Sequence, residues 1–128
     1  MTLRRHNMEF LNGNWRITAV DGKPIDDEEA NIFIDIAELK VHGNTGCNYF
    51  NGSIYIDPNR SNAIDFSQMG LTRMACYKEN QERQIMVALE QATTAIAGKD
   101  NDTVLLTDDK GKALMTLKKI PYNPNENE

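Results

Sequence analysis

Along most of this chain apolar and polar residues alternate with a period of two, the spacing of strands that bury one face. The first run is Trp15–Val20, where Trp15, Ile17 and Ala19 alternate with Arg16, Thr18 and Val20. Asn12-Gly13 before it and Asp21-Gly22 after it are turn pairs. Ile32, Ile34 and Ile36 share one face of a second strand, and Leu39–His42 forms a third that ends at Gly43. After a turn at Gly46–Asn48, a fourth strand spans Phe50–Asp57 with Ile54 and Ile56 facing one way. Asp57–Asn62 is a loop, because Pro and Asn both favour turns. Ala63–Phe66 is a short fifth strand, and Ser67–Cys76 follows neither period and reads as a structured loop.

The pattern then changes. Ile85, Leu89, Ala92 and Ile96 fall on one stripe at helical spacing, which predicts a helix from about Glu79 to Ala97 closed by Gly98. Thr103–Thr107 and Ala113–Ile120 form a hairpin, with Val104, Leu106, Met115 and Leu117 on its inward face. Residues 1–9 read as a flexible N-terminal segment, 10–120 as a single domain and 121–128 as a disordered tail. The predicted fold is mainly β (α+β): an open antiparallel β-barrel or strongly curved sheet with one packed helix.

Composition narrows the function. At 128 residues the chain is one domain, large enough to bury a core without metal support. Its 14 basic and 19 acidic side chains give a net charge of −5, and no basic stripe is present, which argues against nucleic acid as a partner. No apolar run approaches the roughly 20 residues of a membrane-spanning helix. Residues 1–9 lack the apolar stretch of a secretory signal. Two expectations stay open: a cytosolic protein, or a mature region whose export signal is missing from this sequence.

Candidate chemistry is sparse. Cys47 and Cys76 are the only cysteines, so an internal bridge has one connectivity. Bridged, they would close a loop worth roughly 3–4 kcal/mol; unbridged, they are two thiols of a cytosolic domain, or serve redox or metal chemistry. His6 and His42 flank neither cysteine at ligand spacing, and two sulfurs do not complete a zinc site. No nucleophile–base arrangement or carboxylate pair emerges, so no enzyme and no cofactor are expected. Asp26–Glu29 lacks the alternating ligands and glycine of a calcium loop and reads as a solvated turn. Met69, Met74, Met86 and Met115 read as core gap fillers. Gly13-x-Trp15 matches the Gly-x-Trp of lipocalins over three positions, with Trp15 expected in the core. Arg73 is the one charged residue with two distinct uses: gripping a ligand's carboxylate or phosphate, or, as the more ordinary role, holding the loop's shape.

Longer phrases are more specific. Gly46-Cys47-Asn48, then Phe50-Asn51-Gly52-Ser53-Ile54-Tyr55, then Thr72-Arg73-Met74-Ala75-Cys76 ahead of a Glu-rich helix, resemble the META/HslJ domain family. The opening Leu11–Ile17 and the closing Leu106–Leu117 fit it as well, so the resemblance runs from about residue 10 to 119. Tyr49 and Tyr77 depart from it, standing where Arg and Pro are common. The resemblance implies a lipocalin-like open barrel with a helix and a disulfide between Cys47 and Cys76. It also implies a place in the bacterial envelope or periplasm, often with a lipid anchor on the precursor, and no established catalytic residue. Gly46, Asn48, Gly52, Thr72, Arg73, Met74 and Ala75 are its motif positions here, and Arg73 is the candidate ligand contact. The expected role is binding a protein partner in stress, secretion or envelope maintenance, as a monomer. The alternative is a small carrier of an acyl chain or other apolar ligand.

Overall fold

Strand pairing dominates the described residues, and a helix occupies a gap that the strands leave. In a computed structural model, which describes residues 8–76, 81–100 and 102–121, the strands are β1 (Gly13–Val20), β2 (Lys23–Pro24), β3 (Asn31–Asp35), β4 (Lys40–Asn44), β5 (Tyr49–Ile56) and β6 (Ile64–Leu71). Helix α1 (Glu82–Gln91) follows, then β7 (Thr94–Ala97), β8 (Thr103–Thr107) and β9 (Ala113–Lys119). All neighbours are antiparallel, in the order β6-β5-β4-β3-β1-β9-β8-β7, with the short β2 paired to β1.

The sheet curls into a half-barrel until its two edges touch at one place. There Ile64 N donates to Thr93 O at 3.0 Å, Ala95 N to Asn62 O at 2.9 Å, and Asn62 Nδ2 to Ala95 O at 2.8 Å. Beyond that contact β6 and β7 part. Helix α1 packs against β6, β9 and β1 and fills the breach. Its Ile85, Ala88 and Leu89 join Trp15, Ile17, Phe50, Leu106, Met115 and Leu117 in one buried cluster.

The helix end and the end of the fifth strand differ most from the sequence expectation, each for a physical reason. The helix stops at Gln91 rather than Ala97, because the β-branched pair Thr93-Thr94 enters the sheet instead. Thr93 N donates to Thr107 O at 2.9 Å and β7 pairs with β8, leaving Ile96 exposed rather than on a helical stripe. Residues 79 and 80 lie outside the described residues. The fifth strand, in turn, runs on to Leu71 instead of ending at Phe66. Ser53 faces Ser67 and Asn51 faces Gly70, so β6 carries one residue more than β5 across this step. Gln68 takes a φ of 53° at that bulge, and the extra residue breaks the alternation that would have marked the strand.

Trp15 is fully buried, as expected of it. Its Nε1 donates to Leu11 O at 2.8 Å, and Lys119 Nζ lies 4.6 Å from the ring centroid while donating to Asn12 O at 2.7 Å. The first strand, the last strand and the turn of residues 8–11 are thereby tied at one end of the half-barrel. Met8 is buried in that turn, ahead of the boundary expected at residue 10; residues 1–7 and 122–128 lie outside the described residues.

The β8–β9 hairpin turns on Asp108, whose Oδ1 accepts the N–H of Lys110 and of Lys112, each at 2.9 Å. These bonds, the Lys112 N–H foremost, hold its carboxyl below the usual aspartate range. A carboxyl lowered on folding stabilises the fold above its unfolded pKa and loses that contribution as pH falls through the folded value. Asp108→Asn should melt slightly below wild type at neutral pH, with the gap closing below about pH 4. Thermal melts across pH check this, and a gap unchanged in acid would contradict it.

Candidate functional site

The turn between β4 and β5 is built on side chains that stand in for backbone partners. Thr45 N donates to Asn48 O at 2.8 Å, and Thr45 Oγ1 accepts Asn48 N at 3.0 Å. Gly46 has a φ of 102° and its Cα faces the Asp27 carboxylate, so both conformation and space call for glycine there. Thr45 and Asn48 are buried, which obliges their polar atoms to find partners inside the protein. They find them on two other segments.

One is the helix start. Glu82 Oε2 accepts Thr45 Oγ1 and Asn48 Nδ2, each at 2.8 Å. Gln81, one residue earlier, makes no helix cap; its Oε1 accepts Asp26 N and its Nε2 donates to Pro24 O, both at 3.0 Å. The helix start is thus fastened to the β4–β5 turn and to the end of β2 and the segment after it.

The other is the Thr72–Cys76 loop. Asn48 Oδ1 accepts Thr72 Oγ1 at 2.9 Å and Met74 N at 2.6 Å. Thr72 is further paired to Tyr49 by two bonds, Thr72 N to Tyr49 O at 2.9 Å and Tyr49 N to Thr72 Oγ1 at 3.0 Å. Cys47 and Cys76 are joined as a disulfide with their Cα atoms 5.9 Å apart, and Asn48 Nδ2 lies 3.9 Å from Cys76 Sγ. A single buried amide therefore holds turn, loop and helix together.

The structure gathers Gly46, Cys47, Asn48, Thr72, Arg73, Met74, Ala75 and Cys76 at one place. Gly52 stands apart, on β5 opposite the β6 bulge, where a Cβ would collide with the Met69 sulfur and the Ser67 carbonyl. The loop's shape is not Arg73's work. Arg73 is exposed and makes no hydrogen bond or ion pair with a described residue, because Asn48 supplies the support from beneath. Met74 is no gap filler either: it is 48% exposed and Tyr49 beside the loop is 59% exposed, whereas Met115 is buried and Met69 and Met86 are half-buried against the core. Sequence reasoning missed Glu82 and Thr45, whose roles depend on contacts 37 and 34 residues away along the chain.

At the opposite end, a cavity of about 410 Å³ lies between the turn of residues 8–11, the β3–β4 turn and the β5–β6 loop, lined by Met8, Ile36, Leu39, Ile56 and Arg60 among others. It shares no residue with the Asn48 cluster. Among the described residues no three His, Cys, Asp or Glu side chains gather as a metal site, and no helix is long and apolar enough to cross a membrane.

The META domain pattern matches residues 7–120, which takes in the whole half-barrel and both cysteine phrases. The chain belongs to the META domain family. Two solved structures share its fold. A protein from Burkholderia xenovorans, determined by NMR, is 22% identical with a TM-score of 0.68, over 92% of this chain and 89% of its own. A DUF4847-family protein from Bacteroides vulgatus, a crystal structure, is 14% identical with a TM-score of 0.64, over 89% of this chain and 96% of its own. At these identities the likeness is one of fold. A search of curated proteins gave no match.

In this META domain the Asn48 amide should account for much of the stability at its end of the half-barrel. Asn48→Ala strands Met74 N and removes a donor from Glu82, and should cost about 2–4 kcal/mol in urea unfolding. Tyr49→Ala, which removes only an exposed ring, should cost under about 0.5 kcal/mol. Equal costs would contradict the assignment of Asn48 as the tie.

Proposed function

We propose that this META domain is a non-enzymatic binding module of the bacterial cell envelope, and that its protein partner docks on the Arg73–Cys76 loop and the adjoining Tyr49. The observation that carries this is the grip of Asn48 on Thr72 and Met74, which fixes the backbone of a loop whose side chains are all exposed. A loop already held in one shape loses little freedom on binding, so more of its contact energy appears as affinity. Tyr, Arg and Met are also the residue types enriched where interfaces concentrate their energy.

The polar groups beneath the loop are spent on one another, which suits support rather than reaction with a ligand. The Cys47–Cys76 bridge favours an oxidising compartment such as the periplasm. The alternative of a carrier needs interior room beside Ile34, Ile54, Ile56, Leu106 and Leu117; four of these are buried in one cluster with Ile85 and Leu89 of the helix, and Ile56 alone is half-buried against it. The cavity beside Met8, Ile36 and Ile56 is where a small apolar ligand would find space.

A photo-crosslinking residue placed at position 74, in the native host, should give one defined adduct. The same residue at position 38, in the exposed β3–β4 turn, should not give that adduct. Arg73→Ala or Tyr49→Ala should weaken the adduct from position 74. No adduct, or equal adducts from both positions, would refute docking at the loop.

A further inference from the structure

We propose that Thr72–Cys76 is a substrate-like inhibitory loop that presents Arg73 to the acidic specificity pocket of a trypsin-type serine protease. This rests on the reading of the loop as the docking surface and names the partner's chemistry. A segment that blocks such a protease must be exposed and irregular enough to enter its cleft, with a free cationic side chain at the centre. It must also keep both flanks of that residue fixed, or it is simply cut.

Each requirement is met. Residues 72–76 belong to no helix or strand and are exposed. The Arg73 guanidinium is unengaged by any described residue and has the planar donor fork that a carboxylate at the base of a trypsin pocket accepts. The flanks are held by one atom: Asn48 Oδ1 takes the Thr72 hydroxyl on one side of Arg73 and the Met74 N–H on the other. Thr72 is fixed again by the backbone of Tyr49, and Cys76, two residues past Met74, is bridged to Cys47.

This arrangement changes the outcome of attack. The protease serine oxygen bonds to the Arg73 carbonyl carbon, the Arg73–Met74 C–N bond breaks, and the serine proton passes through the protease histidine to the Met74 nitrogen. From an ordinary substrate that amine departs and water hydrolyses the ester. Here Met74 is tethered by Asn48 and by the disulfide, so its amine stays beside the ester. It attacks in return, restoring the peptide bond and returning the proton to the serine. Held in place, the amine outcompetes water by its high effective concentration. Rigid loops of this kind give protease complexes of high affinity from an interface of ordinary size.

The test uses the full, disulfide-intact chain, bovine trypsin and a chromogenic arginyl substrate. Saturable inhibition is expected. Arg73→Ala, a surface change that leaves folding intact, should weaken it by about 100-fold or more, and Arg73→Lys should retain it within about 10-fold. Mass spectrometry should show a mixture of intact chain and chain clipped after Arg73, its halves joined by the bridge. Absent inhibition, steady digestion after Arg73, or equal inhibition by Arg73→Ala would overturn the proposal. Crosslinking from position 74 without trypsin inhibition would sink this inference and leave the docking surface standing; inhibition without an adduct in the host would do the reverse.

Discussion

A buried primary amide has two N–H donors and a carbonyl oxygen with two lone pairs, and none of them can turn to water. Asn48 meets that obligation by reaching in two directions. Its nitrogen donates to the carboxylate at the start of the helix, and its oxygen receives the hydroxyl of Thr72 and the backbone N–H of Met74. Everything distinctive about this end of the molecule follows from that constraint. The turn that carries Asn48 needs Gly46 at a positive φ. The helix needs an acid in its first turn, where the dipole also favours a negative charge. The loop must pass close enough for the bridge between Cys47 and Cys76 to close.

The half-barrel makes the meeting of these three segments unavoidable. Among the described residues its edges join where the start of β6 meets the start of β7. Past that seam, among the described residues, β6 pairs with a strand on one side alone, and the chain that returns toward β7 does so as a helix lying against it. The helix start is thus delivered to the far end of β6, beside the loop that leaves β6 and the turn between β4 and β5. A strand in the helix's place would close the barrel and leave no ledge on which to hold an exposed loop. At the other end the Lys119–Trp15 contact and the turn of residues 8–11 tie the first strand to the last, so the two ends are stabilised by unrelated interactions.

Much of this was legible in the residues. Strands with strict alternation, such as those around Ile32–Ile34 and Val104–Leu106, were readable because burying one face leaves a period of two. The second half of β6 was not, because one extra residue at Gln68 shifts the period mid-strand. The helix end was also hidden. Ala92 and Ile96 continue the helical stripe by spacing, yet the pairing of β7 with β8 outweighs that local preference. At the site, the motif phrases drew attention to Asn48 and the Thr72–Cys76 loop, while the partnership with Glu82 left no trace in local sequence. Arg73 was the reverse case: its setting suggested a brace, and the structure leaves it free because the brace is an asparagine in the β4–β5 turn.

The proposed docking loop has a backbone fixed by Asn48 and the disulfide, while its Arg73, Met74 and Ala75 side chains stand exposed. The most direct measurement is the exchange rate of the Met74 amide hydrogen in the native, disulfide-intact chain, resolved by NMR. Met74 is well exposed, so without its bond to Asn48 the amide should exchange as freely as in an unstructured peptide. The account predicts exchange slowed by about 100-fold or more, with the protection lost in Asn48→Ala at a pH and temperature where that variant remains folded. Exchange at the free-peptide rate in the wild-type chain would contradict it.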